Sequence, residues 1–254
     1  MLLAIDVGNT QTHVGAFAGE ELVGDWRLAT RGDATADELA LAMDGSLRLR
    51  RLEPDGVDGL IVSTVVPRLG PEYERLGEVH LGSRCLLVGP AVRTGMPILI
   101  DNPHELGSDR LVNAVSAFAK CGGRCLSVDF GTSINVDAVS GEGEYLGGAI
   151  APGLEVSIEA LSSRAAKLPR FQLAAPEQAI GRNTQAALQS GFAYGFAALV
   201  DGVVARMRDE LGAEARVIAT GGTATTIAPL CETIDEVDPY LTLTGLRLVW
   251  ERNR

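Results

Sequence analysis

The chain opens with LLAIDVGNT at residues 2–10, a short apolar segment that ends on an aspartate, a glycine and a run of amide and hydroxyl side chains. The pattern begins again with LSVDFGT at residues 126–132, which puts Asp129 in register with Asp6, each with glycine two positions later. In both copies two further apolar segments follow across tight turns, as in a β-meander. We therefore predict an internal duplication with two related sheets.

The other patterns alternate between helix and strand, so the sequence predicts an α/β fold with two domains, 1–118 and 119–254. Predicted helices cover residues 35–43, 70–76, 107–119, 154–166 and 184–211, and a last one opens after 221–222. Predicted strands cover residues 2–7, 12–18, 22–28, 57–64, 85–88, 126–130, 134–139, 145–150 and 216–219.

Composition and charge exclude several classes of protein. With 254 residues, 46% of them hydrophobic and 22% charged, the chain can bury a large core and is not disordered. The formal net charge of −11 argues against nucleic acid or an anionic membrane as the main partner. No uninterrupted apolar run reaches about 18 residues, and Asp6 stands where a signal peptide would be apolar, so we expect a cytoplasmic protein.

Cysteine and histidine patterns indicate no metal centre built from these residues. The close pair Cys121 and Cys125 lacks the second pair or histidine cluster that would complete a site, and we expect reduced thiols. His13, His80 and His104 are scattered, and none belongs to an H-E-x-x-H motif.

The two Asp-x-Gly turns have the composition of a phosphate-binding site. Glycine lets the backbone approach an anion, N–H and hydroxyl groups can donate to phosphate oxygens, and the carboxylate can hold a cation. Two such turns would enclose a polyphosphate and its metal ion, as phosphoryl transfer requires. A pair of ordinary β-turns is the alternative. The chain has no G-x-x-x-x-G-K-[ST] motif, so hydroxyl turns would have to hold any nucleotide.

Two predicted helix starts could contact a ligand. Gly221 and Gly222 follow a buried strand, so a ligand could lie against bare backbone there. In GSDR at residues 107–110, Asp109 could accept a proton from a substrate hydroxyl, and Arg110 could pair with a carboxylate or phosphate. In each case an ordinary helix start is the alternative.

Seven short motifs follow one another along the chain. In order they are DVGNT (6–10), GSDR (107–110), DFGT (129–132), LGGAIAPG (146–153), AAKLP (165–169), IGRNT (180–184) and TGG (220–222). Together these motifs resemble those of the type III pantothenate kinases. The resemblance extends to LTGLR at residues 243–247 and covers nearly the whole chain. The two Asp-x-Gly turns alone would indicate only the wider superfamily of acetate and sugar kinases, actin and the chaperone ATPases.

The resemblance implies two ribonuclease-H-like domains of the actin-like ATPase kind, with mixed sheets flanked by helices. It implies ATP-dependent phosphorylation of pantothenate, the first step of coenzyme A synthesis, with Mg²⁺ and a monovalent cation, K⁺ or NH₄⁺. It also implies a homodimer. The predicted helix 184–211 has a small and apolar stripe that either a second helix or the core would use, made of Ala187, Leu188, Gly191, Gly195, Ala198 and Leu199.

Carried over to this sequence, the resemblance assigns roles to individual residues. Asp109 would be the general base on the primary hydroxyl of pantothenate, Asp6 would lie near the divalent metal, and Asp129 would hold the monovalent cation. The implied ATP contacts are Asp6, Val7, Gly8, Asn9, Thr10, Gln11, Thr12, His13, Thr132, Gly221 and Gly222. The implied pantothenate contacts are Ile100, Gly107, Ser108, Asp109, Arg110 and Thr184.

The sequence departs from the family pattern at several of these sites. The family usually reads GTATTFD where this chain has GTSINVD at residues 131–137, which loses two threonines and is expected to place Ile134 among the hydroxyl donors. If those hydroxyls bind ATP, affinity or rate falls, because each charge-assisted hydrogen bond contributes roughly 1.5–3 kcal/mol. Ser108 replaces an alanine, and Ile100 replaces a frequent tyrosine, so we expect a reshaped pantothenate pocket.

Two other functions are compatible with the sequence. A catalytically weak or silent paralogue could keep the fold for a binding or regulatory role while the 133–136 segment drifts. A sugar kinase of the same superfamily fits less well, because the repressor-like sugar kinases usually carry a cysteine-rich zinc cluster and lack the 107–110 segment.

Overall fold

The computed structural model describes residues 1–164, 171, 174–212 and 214–254. The AAKLP motif at residues 165–169 lies outside the described residues, as do the last two residues of the helix predicted for 154–166. The chain forms two compact units, which we call unit 1 and unit 2.

The two units are not simple halves of the chain. Unit 1 consists of Met1–Gly95, Asp101–Ser116 and Leu241–Arg254, and unit 2 consists of Met96–Ile100 and Ala117–Tyr240. One crossing between the units therefore lies beside the predicted domain boundary at residue 118. Neither the short excursion into unit 2 before Asp101 nor the return to unit 1 at Leu241 was predicted from the sequence.

Unit 1 contains a five-stranded mixed sheet. Its order is β3-β2-β1-β4-β5, where the strands are β1 (Leu2–Val7), β2 (Gln11–Ala18), β3 (Glu21–Ala29), β4 (Gly59–Thr64) and β5 (Arg84–Leu87). The central strand β1 pairs antiparallel with β2 and parallel with β4. Both of its edges are thus covered, which lets Leu3, Ala4 and Ile5 be fully buried.

Unit 2 repeats this sheet. Its order is β10-β9-β6-β7-β8, with β6 (Cys125–Phe130), β7 (Ser133–Val139), β8 (Tyr145–Pro152), β9 (Arg216–Thr220) and β10 (Glu236–Val237). The central strand β6 again has an antiparallel neighbour, β7, and a parallel one, β9. The matching order and directions confirm the predicted α/β fold with a duplicated mixed sheet.

Helices flank both sheets. They are α1 (Ala36–Leu49), α2 (Gly70–Arg75), α3 (Ser108–Cys121), α4 (Leu154–Arg164), α5 (Thr184–Leu211), α6 (Ala224–Ile227) and α7 (Leu241–Glu251). Short helical turns cover Pro54–Gly56, Pro67–Leu69, Leu76–His80, Pro103–Glu105 and Ala228–Leu230.

Helix α1 shows how local sequence sets these elements. Thr35 caps the helix by accepting a hydrogen bond from the backbone N–H of Glu38, whose side chain accepts one from the N–H of Thr35 in return. Apolar residues spaced by four then bury one face of the helix in the core of unit 1. These are Leu39, Met43 and Leu47.

The end of the chain differs from the prediction. The helix expected after Gly222 is the short α6, and the longer α7 was not predicted. Threonines and a glycine interrupt its apolar pattern, yet Leu243, Leu246 and Val249 are fully buried. Gly245 lies against the backbone of Val112 in α3, so closely that a Cβ there would collide with the Val112 carbonyl oxygen. The glycine is therefore needed for this close approach of two helices.

Among the described residues, α5 is the one helix long and apolar enough to cross a membrane by length and composition, with an 18-residue window of mean hydropathy 1.3. Counting uninterrupted apolar residues did not detect this window. One face of α5 packs into the core of unit 2 through Ala193, Ala197, Val200 and Val204.

Replacing Gly245 with Ala is expected to destabilise the protein by roughly 1–3 kcal/mol, because the added methyl group overpacks the contact with Val112. The free energy of unfolding from urea titration measures the effect.

Gly45 provides the matched control, since it lies on the exposed side of α1 with nothing within 4 Å of an added Cβ. Its replacement with Ala should stabilise the protein by roughly 0.5–1 kcal/mol, because alanine favours the helix. Equal effects at the two positions would contradict the proposed helix contact.

Candidate active site

The first Asp-x-Gly turn begins where β1 leaves the core of unit 1. Asp6 is half-buried, and its register partners are His13 on β2 and Ser63 on β4. His13 is in turn opposite Arg27 on β3. Because residues paired in register project to the same face of a sheet, these four side chains form a polar row across it.

The backbone of this turn is tight and its polar side chains point outward. The N–H of Gly8 donates to the carbonyl of Gln11 at 3.0 Å, which closes the turn. Asn9, Thr10 and Gln11 are exposed, so their amide and hydroxyl groups are accessible to a ligand.

The other predicted ATP contacts of this segment have buried side chains. Val7 belongs to the hydrophobic core, and the hydroxyl of Thr12 lies 2.9 Å from that of Thr30. His13 is 7% exposed and its Nε2 lies 3.1 Å from Oδ2 of Asp25. Burial lowers the pKa of His13, which favours the neutral imidazole. Val7 and Thr12 can thus offer a ligand only their backbone.

The second turn, in unit 2, is built around Asp129. Asp129 is half-buried at the end of β6, with Asn135 and Thr220 as its register partners. Gly221 has φ +99°, and a Cβ there would lie 2.5 Å from Oδ1 of Asp129. The structure therefore brings the predicted residues Asp129 and Gly221 together, and glycine is required both for the backbone conformation and for the space.

The rest of this turn is open. Thr132 is exposed, and its carbonyl accepts a hydrogen bond from the N–H of Gly153 at 3.0 Å, which joins the LGGAIAPG segment to the turn. Gly222 has nothing within 4 Å of an added Cβ. Thr132 and Gly222 thus leave room for a ligand beside Asp129.

The expectation that Ile134 lies among hydroxyl donors is wrong. Ile134 is 2% exposed and belongs to the hydrophobic core of unit 2, because side chains alternate between the two faces of β7. Its polar neighbours Ser133 and Asn135 project to the opposite face, where Ser133 Oγ donates to Oδ1 of Asn135 at 3.1 Å. The changed segment therefore keeps polar side chains on the face that carries Asp129.

The first turn of α3, in unit 1, carries the predicted base. Ser108, Asp109 and Arg110 are all half-buried. The N–H of Leu111 donates to the carbonyl of Gly107 at 3.1 Å, and a Cβ at Gly107 would lie 2.5 Å from Oδ1 of Asp109. The carboxylate of Asp109 thus lies over a glycine backbone, in space that a side chain at position 107 would occupy.

Ile100 and Thr184 are in unit 2. Ile100 is half-buried beside Gly147, with its Cγ2 3.6 Å from an added Cβ at that glycine. Thr184 is the exposed first residue of α5, after the N-cap Asn183, in an open groove of about 510 Å³ that Arg182 also lines.

The oxygen groups of the two turns fit cations that are held partly by phosphates. Among the described residues, no group of three or more His, Cys, Asp or Glu side chains could hold a metal ion. Each turn instead offers one half-buried carboxylate, Asp6 or Asp129, beside hydroxyl or amide groups. Mg²⁺ suits such a site, because it keeps several waters and binds one or two carboxylates together with substrate phosphates.

Sequence reasoning missed Ser63 and Asn135, which lie beside the two aspartates. Asn135 was considered only as a lost threonine. Ser63 could have been noticed as a hydroxyl at the end of a buried strand, but its pairing with Asp6 depends on a parallel register that connects distant parts of the chain. Arg27, at the end of the polar row, was also missed.

Comparisons with known proteins agree on one family. The sequence profile of the type III pantothenate kinases matches residues 2–206. The type III pantothenate kinase of Myxococcus xanthus is 48% identical over 253 residues, covering 100% of this chain and 99% of the relative, and that of Geobacter sulfurreducens is 50% identical over 254 residues, covering both chains fully.

The fold is shared more widely. The polyphosphate/ATP-glucomannokinase of Arthrobacter sp. strain KM superposes with a TM-score of 0.54 at 15% identity, covering 100% of this chain and 99% of that one. Such a likeness is consistent with two ribonuclease-H-like domains and speaks to the fold alone. The match over most of its length, the relatives near 50% identity and the duplicated sheet establish that this chain belongs to the type III pantothenate kinase family.

Proposed function

We propose that the chain transfers the γ-phosphoryl group of ATP to the primary hydroxyl of pantothenate, with Asp109 as the general base. Membership of the family supports the reaction, which is ATP-dependent and opens coenzyme A synthesis. The observation that carries the residue assignment is the first turn of α3, where the Asp109 carboxylate lies half-buried over the bare backbone of Gly107.

The chemistry assigned to Asp109 is proton removal. Its carboxylate accepts the proton of the pantothenate hydroxyl while that oxygen forms a bond to the γ-phosphorus and the bond from phosphorus to the leaving ADP oxygen breaks. Arg110 follows directly, and its guanidinium can pair with the carboxylate of pantothenate. Gly107 and Ser108 complete this segment, with Ile100 and Thr184 as further pantothenate contacts.

The two turns supply phosphate contacts in this proposal. At the first, the exposed Asn9, Thr10 and Gln11 provide donors, and the N–H of Gly8 is already taken by Gln11. At the second, Thr132 and the backbone at Gly222 are open to a phosphate group.

Cations would balance the charge of the triphosphate. We assign Mg²⁺ to Asp6, held mainly through the phosphates, and a monovalent cation, K⁺ or NH₄⁺, to Asp129. When bound, these ions would neutralise the negative charge that phosphoryl transfer concentrates on the phosphate oxygens. We also infer a cytoplasmic location, where ATP is available.

No observation favours a silent paralogue. That alternative relied on the altered 133–136 segment, in which two threonines are lost, but the Ile134 side chain lies in the core, and Ser133 and Asn135 keep the other face polar.

A homodimer is the remaining part of the proposal. Ala187, Gly191, Gly195 and Ala198 are exposed along α5, and an added Cβ at either glycine would meet nothing within 4 Å. A helix of a second copy could approach such a surface closely, which supports a dimer through α5.

Replacing Asp109 with Asn should lower kcat by about 10²–10⁴-fold, because the amide cannot accept the proton. Formation of 4′-phosphopantothenate is measured at high ATP with Mg²⁺, with and without K⁺, and we expect turnover to require K⁺.

Asp37→Asn is the matched control, since Asp37 is also the second residue of a helix and is exposed. This variant should keep its activity. Near-normal turnover in Asp109→Asn would exclude Asp109 as the base, whereas no product from folded wild-type protein would refute the kinase activity itself.

Replacing Ile134 with Thr, the residue usual in the family, should destabilise the protein and leave turnover nearly unchanged. Its hydroxyl would be buried in the core without a designed partner, at a cost of roughly 1–3 kcal/mol relative to Ile134→Val, which has the same shape. Urea titration of both variants gives the difference. A large gain in kcat would instead support the silent paralogue.

Replacing Gly191 with Leu should weaken the dimer, because the larger side chain prevents close approach of a second α5. Light scattering should give about twice 26.7 kDa for the wild type and a lower mass for the variant. Gly45→Leu, on the exposed side of α1, should leave the mass unchanged. A wild-type mass near one chain would rule out the dimer.

A further inference from the structure

Ser63 is a fully buried hydroxyl at the end of β4, directly beside the residue at the centre of the first turn. It is 0% exposed and in register with Asp6. A buried hydroxyl is costly unless it forms a hydrogen bond. The identity of its partner therefore matters for the stability of this end of the sheet.

That partner is Ser108, the first residue of α3. The two Oγ atoms lie 2.8 Å apart, across 45 positions of sequence. The bond links the end of β4, beside Asp6, to the residue directly before Asp109. Both residues belong to unit 1.

The hydrogen bond lies at the first turn of α3, where a small displacement of the backbone would move the Asp109 carboxylate. Asp109 lies in the first helical turn, with its carboxylate over Gly107, so a movement of Ser108 moves the carboxylate with it. The alanine usual in the family at position 108 could not form this bond, so the serine of this chain is explained by its contact with Ser63.

We propose that Ser63 is a positioning residue for Asp109, acting through its hydrogen bond to Ser108. The proposal rests on Asp109 as the base. Ser63 is 0% exposed and so has no accessible surface to offer a substrate. Its hydrogen bond instead holds the first turn of α3 against the end of β4, beside Asp6.

Single and double variants test the coupling. In Ser108→Ala the buried Ser63 hydroxyl loses its partner, so we expect kcat to fall by about 10- to 100-fold, as misplacement of a catalytic group does, with the KM for ATP unchanged. In Ser63→Ala the half-buried Ser108 can bond to water instead, so the fall should be smaller.

The double variant Ser63→Ala/Ser108→Ala should have a higher kcat than Ser108→Ala alone, because no buried hydroxyl is then left unpaired. Amide hydrogen exchange at residues 109–112 provides a readout independent of activity. It should be faster in Ser108→Ala than in the wild type and slower again in the double variant.

Ser83→Ala is the control. Ser83 is another buried serine of unit 1, and its hydroxyl donates to the carbonyl of Val57, far in sequence from α3. Its loss should lower Tm without changing kcat.

Three results would overturn the positioning role of Ser63. They are an equal fall in kcat for Ser83→Ala and Ser108→Ala, an unchanged kcat in Ser108→Ala, and a kcat of the double variant below that of either single variant.

Asp109→Asn separates the positioning role of Ser63 from the assignment of Asp109 as the base. If that variant stays active the base assignment fails, and if it is inactive while Ser108→Ala is normal only the positioning role fails.

Discussion

The rest of this structure depends on one constraint, the placement of a carboxylate at the end of a buried central strand. In β1 and β6 the first four residues are buried, the fifth is a half-buried aspartate and the sixth is buried again. A deeper carboxylate carries a large desolvation cost unless it is hydrogen-bonded, as Asp137 is by the Tyr145 hydroxyl, whereas each turn aspartate lies where its strand reaches the surface. Val7 and Phe130, the residues that follow, belong to the hydrophobic cores and anchor the end of each strand. The glycines and the hydroxyl and amide side chains of each turn lie around this carboxylate.

Much of this arrangement could be predicted from the sequence, because its signals are local. Apolar runs, tight glycine turns and the capping residues Thr35 and Glu38 act within a few positions and indicated most strands and helices. The duplication was visible for the same reason. By contrast, α7 and β10 have weak local patterns, and their positions depend on contacts with distant residues, such as that of Gly245 with Val112.

The error at Ile134 has a different origin. The segment SINVDAV alternates polar and apolar residues, so its period of two already assigns Ile134 to the face of Val136 and Ala138. Comparison with the family motif did not reveal this alternation, because a motif comparison treats every position of the segment as a possible ligand contact. Ser63 illustrates the opposite case, since no local pattern reveals which strand lies beside β1 in a parallel sheet. The residues alone indicated that Asp109 could accept a proton and that Asp6 and Asp129 could hold cations, and the family resemblance then implied which substrate and which ions they serve.

The segmented composition of unit 1 also constrains how the chain is made. A ribosome releases residues in order, and domains generally fold as units as they emerge. Unit 2 has all of its segments once residue 240 has been synthesised, whereas unit 1 needs Leu241–Arg254 to cover its sheet and α3. The unit that begins first is therefore completed last. During synthesis the apolar surface that later receives α7 is without its covering helix until residues 241–251 have been made.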